Sequence, residues 1–149
     1  MTQVGIIEKI WIKRGKRAPM DALERAELIQ NKGLKNNANQ GGWRQVTLLE
    51  AEVWERVMAK LNADLDPSVR RANILVRGLK LKKDCRGKQL KIDDGILKIL
   101  NETKPCERMD EALPGLKSAL YDNWGGGAFG CVMTGGDVWV GASAQWLED

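Results

Sequence analysis

The chain has 149 residues, 24 basic and 20 acidic side chains for a net charge of +4, and no histidine. That length fits one domain of ordinary size with its own core, and two complete enzyme domains will not fit. Without histidine there is no imidazole general base, no Ser-His or Cys-His nucleophile pair, no imidazole-ligated zinc or haem and no imidazole pH switch, so any chemistry runs on thiol, carboxylate, amine, guanidinium or a cofactor.

Gly5 to Lys13 is β-branched and partly alternating, which predicts a strand ending at the basic turn Arg14-Gly15-Lys16-Arg17. Pro19 and Asp21 then open an expected short helix to about Gln30, with Leu23, Ala26 and Ile29 at helical spacing and Gly33 stopping it. Residues 33–42 are polar and rich in Asn and Gly, hence a loop. Gln45 to Leu49 reads as a strand running into a helix from Glu50 to about Leu61, whose apolar stripe is Val53, Trp54, Val57, Met58 and Leu61. Ala72 to Val76 is the next strand, followed by a turn at Gly78. Gln89–Ile92 and Ile96–Leu100 form an antiparallel pair around Asp93-Asp94-Gly95. A short helix is expected near Met109 to Tyr121, interrupted at Pro114-Gly115. After Trp124-Gly125-Gly126-Gly127 come a strand from Ala128 to Met133, a turn at Thr134-Gly135-Gly136, a strand from Asp137 to Val140 and a last one near Ala144 to Leu147. Six or seven short strands with two or three inserted helices predict one mainly β (α+β) domain, a barrel or sandwich with helical decorations.

The basic surplus is N-terminal: residues 1–75 carry 13 basic against 9 acidic side chains, and residues 76–149 carry 11 of each. This suits an anionic small ligand, while the interspersed carboxylates argue against a dedicated nucleic-acid surface. Cys85, Cys106 and Cys131 are an odd number with no CxxC pair, as expected of reduced thiols in the cytoplasm. Met1 to Lys13 lacks the pattern of a secretory signal, and no stretch approaches the roughly 20 apolar residues of a spanning helix. The expectation is a soluble cytoplasmic protein with no membrane partner.

Cys106 is the sharpest chemical candidate, because Lys104-Pro105-Cys106-Glu107-Arg108 sets a thiol between two cations on a stiffened backbone. A helix beginning near Glu107 would add its N-terminal amides. The same residues also fit a half-buried loop cysteine with solvated neighbours. Arg44-Gln45 and Arg70-Arg71-Ala72-Asn73 form a second constellation, since Arg forks onto phosphate and Asn reads a heterocycle edge. Gly41-Gly42 and Gly125-Gly126-Gly127 would let backbone amides approach an anion, although neither matches a P-loop or a dinucleotide fingerprint. Trp11, Trp54 and Trp139 fit inward positions, leaving Trp43 and Trp124, beside the glycines, as walls for a pocket. Cys131 lies mid-strand as an inert thiol, and Cys85 in a basic turn.

Taken together these pieces resemble the MOSC family, the domain named for the C-terminus of molybdenum cofactor sulfurase, and in particular its short stand-alone bacterial members. The resemblance is carried by Ile10-Trp11-Ile12-Lys13, Met20-Asp21, Gly33-Leu34, Arg44-Gln45-Val46-Thr47-Leu48, Arg71 with Asn73-Ile74 and Gly78-Leu79, Lys104-Pro105-Cys106-Glu107-Arg108, and Gly126-Gly127 with Gly135, Val140 and Gly141. It implies a β-barrel of mixed short strands with peripheral helices and a cleft holding Cys106 as a persulfide carrier, or as the molybdenum ligand when the molybdenum cofactor is bound. Arg44, Arg71 and Asn73 would contact the cofactor's phosphate and pterin, with Lys104 and Arg108 beside the thiol. The metal and pterin would perform the redox step, and a thiolate is a suitable soft ligand.

The resemblance also implies partners: a separate cysteine desulfurase as sulfur donor, because the pyridoxal-phosphate domain of the sulfurases is absent from this sequence, and a molybdoenzyme as acceptor. Two alternatives stand beside the carrier reading. One is a stand-alone molybdenum-dependent reductase of N-hydroxylated compounds; the other is a non-enzymatic module using Lys13, Arg14, Lys16 and Arg17 on a protein or polyanion. The family's reductases have an additional N-terminal domain and an Arg-Cys step where this chain has Arg108-Met109. Where many relatives have a Gly-Asp pair and a His, residues 35–40 read Lys-Asn-Asn-Ala-Asn-Gln.

Overall fold

A single long strand, β1 (Val4–Lys13), organises the fold because its two halves serve different neighbours. In the computed structural model, which describes residues 4–147, Ile7, Ile10 and Ile12 of β1 all point into the main core. Strict alternation would not allow that spacing; a register shift between Ile7 and Lys9 against the neighbouring strand rephases the side chains at Glu8.

Seven strands close into a barrel: β1, β5 (Val46–Glu50), β6 (Ile74–Arg77), β7 (Gln89–Ile92), β8 (Gly95–Glu102), β9 (Ala128–Thr134) and β11 (Ser143–Trp146). Their order around it is β11, β7, β8, β9, β5, β6, β1, and β1 closes the ring by pairing with β11. Within the barrel only β5 and β6 run parallel. A parallel pair needs a crossover, and α1 (Ala51–Lys60) supplies it. The inward faces, among them Leu48, Ile74, Leu97, Ile99 and Val132, fill the barrel. On its outside, Trp11, Leu49 and Leu75 meet Trp54 and Val57 of α1 together with Met109, Leu116 and Leu120. Those last three belong to α2 (Glu107–Ala112) and α3 (Leu116–Tyr121), split at Pro114-Gly115 with Gly115 at φ 91°. Each such side chain, fully buried, contributes about 1.5–3 kcal/mol. The result is the expected mainly β fold with a mixed barrel and, among the described residues, three α-helices.

The stretch expected to be a helix from Pro19 to Gln30 is instead two strands, β2 (Met20–Leu23) and β3 (Arg25–Ile29). Its Ala, Leu and Glu content and spacing favour a helix locally, yet the far half of β1 offers an open edge that β2 takes through the pairs Ile10 to Leu23 and Lys13 to Met20. Tertiary pairing overrides a propensity difference of a few tenths of a kcal/mol per residue. β3 joins a second small sheet with β4 (Gly33–Leu34) and β10 (Gly136–Trp139). Thus β9 and β10 follow one another across Gly135 without pairing together. Counting these outer strands, eleven form among the described residues, against the six or seven expected. Trp139 is not inward either: it is 37% exposed, with the Arg25 guanidinium 5.6 Å from its ring centroid. No helix among the described residues is long and apolar enough to cross a membrane.

Candidate functional site

The crossover that makes β5 and β6 parallel also builds the site. Before β6 the chain makes one turn of 3-10 helix, Pro67–Arg70, opened by Asp66, whose carboxylate accepts the Ser68 N–H at 3.0 Å, and by Pro67 at its first position. Arg71 ends the turn in the left-handed region at φ 64°. That conformation separates two consecutive arginines. Arg70 turns inward, 8% exposed, and donates from Nε to the Gly126 carbonyl at 3.1 Å and from a terminal nitrogen to the Thr103 carbonyl at 2.9 Å. Arg71 reaches across to donate to the Ala18 carbonyl at 2.6 Å.

Both arginines line a cavity of about 250 Å³ that also receives Lys13, Arg44, Cys106 and Arg108. Cys106 is exposed and stands at the N-cap position of α2, its side chain making no capping hydrogen bond. The backbone there is fixed by the Met109 N–H donating to the Cys106 carbonyl at 2.9 Å. Arg44 lies with its guanidinium 4.8 Å from the Phe129 ring centroid, a stacking contact that holds it at the rim.

The charge in this cavity is one-sided. Among the described residues, carboxylates pair with Arg14, Arg25, Arg77, Lys82, Lys104 and Lys117, and none pairs with Lys13, Arg44, Arg70, Arg71 or Arg108. Burial lowers the Lys13 amine from its ordinary range, and Arg71, Arg44, Arg108 and Lys16 push it in the same direction. Arg70 is likewise lowered, first by burial; Cys106 opposes the effect and Arg44 adds to it. Five cations without carboxylate partners among the described residues give the cavity a charge that suits an anion. Among the described residues no three His, Cys, Asp or Glu side chains gather as a metal cage would require, so the donor set is one soft sulfur within a cationic wall.

Asn73 lines the cavity, but its amide is already used. Its oxygen accepts the Thr47 N–H and hydroxyl, both at 3.1 Å, and its nitrogen donates to the Trp11 carbonyl at 3.1 Å and to Asn37 Oδ1 at 3.4 Å. It braces β1, β5 and β6 where they converge on the site. Lys104 does not line the cavity; it pairs with Glu102 at 3.3 Å and sits 4.0 Å from the Tyr121 ring centroid. Of the glycines expected to approach an anion, Gly126 lines the cavity, Gly41 and Gly42 do not, and Gly126 and Gly127 are also tightly packed. A Cβ on Gly126 would lie 2.2 Å from the Thr103 carbonyl oxygen and 3.1 Å from Arg70, and one on Gly127 would lie 2.1 Å from the Leu48 carbonyl oxygen.

Neither tryptophan expected to wall the pocket lines it. Trp43 is 66% exposed, with its ring 6.0 Å from Phe129, and Trp124 is part of the main core. Cys85 is buried and its thiol donates to the Lys80 carbonyl at 3.4 Å. Cys131 is half-buried on β9. In the Asn-rich loop, Asn39 reaches the cavity and Asn37 is buried, accepting the Lys13 N–H at 2.9 Å. Lys13 and Thr103 also line the cavity although neither was expected beside the thiol, Thr103 being buried with its hydroxyl lacking a hydrogen-bond partner, and Arg70 of the second constellation is its buried member.

Comparison with known proteins agrees with this architecture. The family model for the MOSC domain matches residues 36–144. The fold is similar to that of the YuaD protein from Bacillus subtilis, with a TM-score of 0.81 at 16% identity over 99% of both chains. It is similar as well to YiiM from Geobacillus stearothermophilus (TM-score 0.78, 14% identity, 97% of this chain and 75% of that one) and YiiM from Escherichia coli (0.71, 12%, 100% and 71%). No curated protein matches the chain in sequence. A family match over most of the chain, on a seven-stranded mixed barrel, establishes that this chain belongs to the MOSC domain family, which is associated with molybdenum cofactor binding.

Proposed function

We propose that this protein binds the molybdenum cofactor and carries sulfur at Cys106. The observation that supports the reading most is the cavity itself, where an exposed thiol stands among five cations that have no carboxylate partners among the described residues. A thiolate is both the nucleophile of persulfide chemistry and a soft ligand for a metal.

The residues fit the group. A cofactor bearing a phosphate needs guanidinium forks, which Arg44, Arg71 and Arg108 offer at the rim of the cavity. Cys106 would hold the metal, and Arg70 would keep a fixed positive charge beneath it. Polar edges of a pterin would meet Asn39 and the unpartnered Thr103 hydroxyl rather than Asn73, whose amide is engaged in the framework. When bound, the cofactor supplies the redox-active metal centre. The chain's own part is to bind anionic groups, to orient the sulfur by the fixed N-cap backbone, and to offset the negative charge of a thiolate or persulfide. The sulfur donor would be a separate cysteine desulfurase and the acceptor a molybdoenzyme.

Expression in a cofactor-competent host, followed by assay of molybdenum, pterin and persulfide, tests the proposal. Occupancy by at least one of the three that falls to background in Cys106→Ser is the expected result. A protein free of all three, with no difference between wild type and variant, contradicts it. Reduction of a hydroxylamine with an artificial donor, lost in Cys106→Ala, would extend the function to a reductase.

A further inference from the structure

The geometry points to a small sulfur-bearing dianion, with thiosulfate as its simplest member, as a direct sulfur donor to Cys106. This inference rests on the carrier reading above and names a substrate for it. The first ground is charge: Lys13, Arg44, Arg70, Arg71 and Arg108 face one cavity and pair with no carboxylate among the described residues. Guanidinium groups fork onto tetrahedral oxyanions, so a sulfonate-type group is suited to this wall. The second ground is size, since about 250 Å³ holds a tetrahedral ion with room to spare. The third is placement. Cys106 is exposed at the mouth, while Arg70 is fixed below by the Gly126 and Thr103 carbonyls, and Thr103 brings a buried hydroxyl without a partner to the same lining.

The step balances without an added oxidant or reductant. The Cys106 thiolate attacks the outer sulfur of thiosulfate, a new sulfur–sulfur bond forms, and the original one breaks with its electron pair leaving on sulfite. Thiolate and dianion together carry three negative charges; the persulfide anion and sulfite carry the same. Negative charge that shifts onto the departing sulfite lies where fixed guanidinium groups stabilise it. A neutral reagent has no charge of its own for that wall to hold, and this contrast makes the inference testable.

The reduced full-length protein is incubated in three arms: with thiosulfate, with neutral methyl methanethiosulfonate, and with cysteine plus a cysteine desulfurase. Mass analysis locates the added group and a colorimetric assay follows sulfite. The expected result is one sulfur gained on Cys106 with one sulfite released, none on that residue in Cys106→Ser, and a rate lowered about tenfold in the exposed-site variant Arg44→Gln/Arg108→Gln. The neutral reagent should slow by much less than thiosulfate in that variant, any loss shared by both reagents reporting the thiolate itself, which also shows that the thiol remains presented. If the neutral reagent and the desulfurase both modify Cys106 but thiosulfate yields no sulfite, the inference is overturned and the carrier reading stands. Equal losses for charged and neutral reagents in the double variant overturn it too. If neither thiosulfate nor the desulfurase loads Cys106, the inference and the carrier reading fall together.

Discussion

Asn73 and Thr47 hold each other reciprocally: Asn73 Oδ1 accepts both the N–H and the hydroxyl of Thr47, and the Asn73 N–H donates back to Thr47 Oγ1 at 3.0 Å. This clamp fixes the entry of β6 against β5, and with it the turn that carries Arg70 and Arg71. Asn73→Ala leaves the Thr47 N–H and the Trp11 carbonyl without their partner in a buried setting. It should cost about 2–4 kcal/mol by denaturant unfolding, since each orphaned group costs about 1–3 kcal/mol. Loss of anion binding without loss of stability would instead mark Asn73 as a direct ligand.

Gly126 is the second support of the site. An added Cβ would collide with the Thr103 carbonyl oxygen at 2.2 Å and crowd Arg70 at 3.1 Å. Gly126→Ala should destabilise the protein by about 2 kcal/mol or more and displace Arg70. Gly42→Ala, at φ 69° with nothing within 4 Å, should cost only about 1 kcal/mol of backbone strain. Chemical denaturation of the pair checks the difference.

The crowded cations have a consequence for pH and salt. Burial, followed by Arg71, Arg44, Arg108 and Lys16, lowers the Lys13 amine, so the folded state holds that proton less tightly than the unfolded chain. Stability from this group is therefore full above the ordinary lysine value of 10.5 and declines as pH falls through the lowered folded value. Lys13→Met should flatten that part of the stability–pH profile and stabilise the free protein at neutral pH and low salt. Phosphate should reverse the cost in wild type, adding about 1.4 kcal/mol at ten times its Kd. Thermal unfolding in phosphate and in chloride at matched ionic strength reads both effects.

Lys104 and Arg108 flank the thiol in sequence but part company in space. Lys104 serves Glu102 and the Tyr121 ring, whereas Arg108 lines the cavity. Lys104→Ala should leave phosphate affinity within about twofold and cost less than about 1 kcal/mol of stability, the usual worth of exposed pairs. Arg108→Gln should weaken phosphate about tenfold, as loss of one charge-assisted contact does. Titration calorimetry with phosphate separates them.

Much of the barrel is legible because its strands alternate and its turns are marked, as in Gln89–Ile92 and Gly95–Glu102 around Asp93-Asp94. Residues 20–29 are not, since their spacing satisfies a helix and only the open edges of β1 and β10 decide for strands. At the site, Cys106, Arg44, Arg71, Asn73 and Arg108 line one cavity, but Arg70 is indistinguishable from Arg71 in sequence. The left-handed backbone at Arg71 separates them, and that conformation in a non-glycine residue has no sequence mark. Lys13 reads as one of several solvated basic residues until β1, Asn37 and the arginines enclose it.

Site-resolved persulfide mapping after incubation with cysteine and a cysteine desulfurase decides whether Cys106 carries sulfur. Sulfur should appear on Cys106, little on half-buried Cys131 and none on buried Cys85, with Cys106 loading sharply reduced when Arg44 and Arg108 are neutralised together. Sulfur loaded on Cys131 or Cys85 as readily as on Cys106, or Cys106 loading unaffected by the loss of those cations, would contradict the carrier reading.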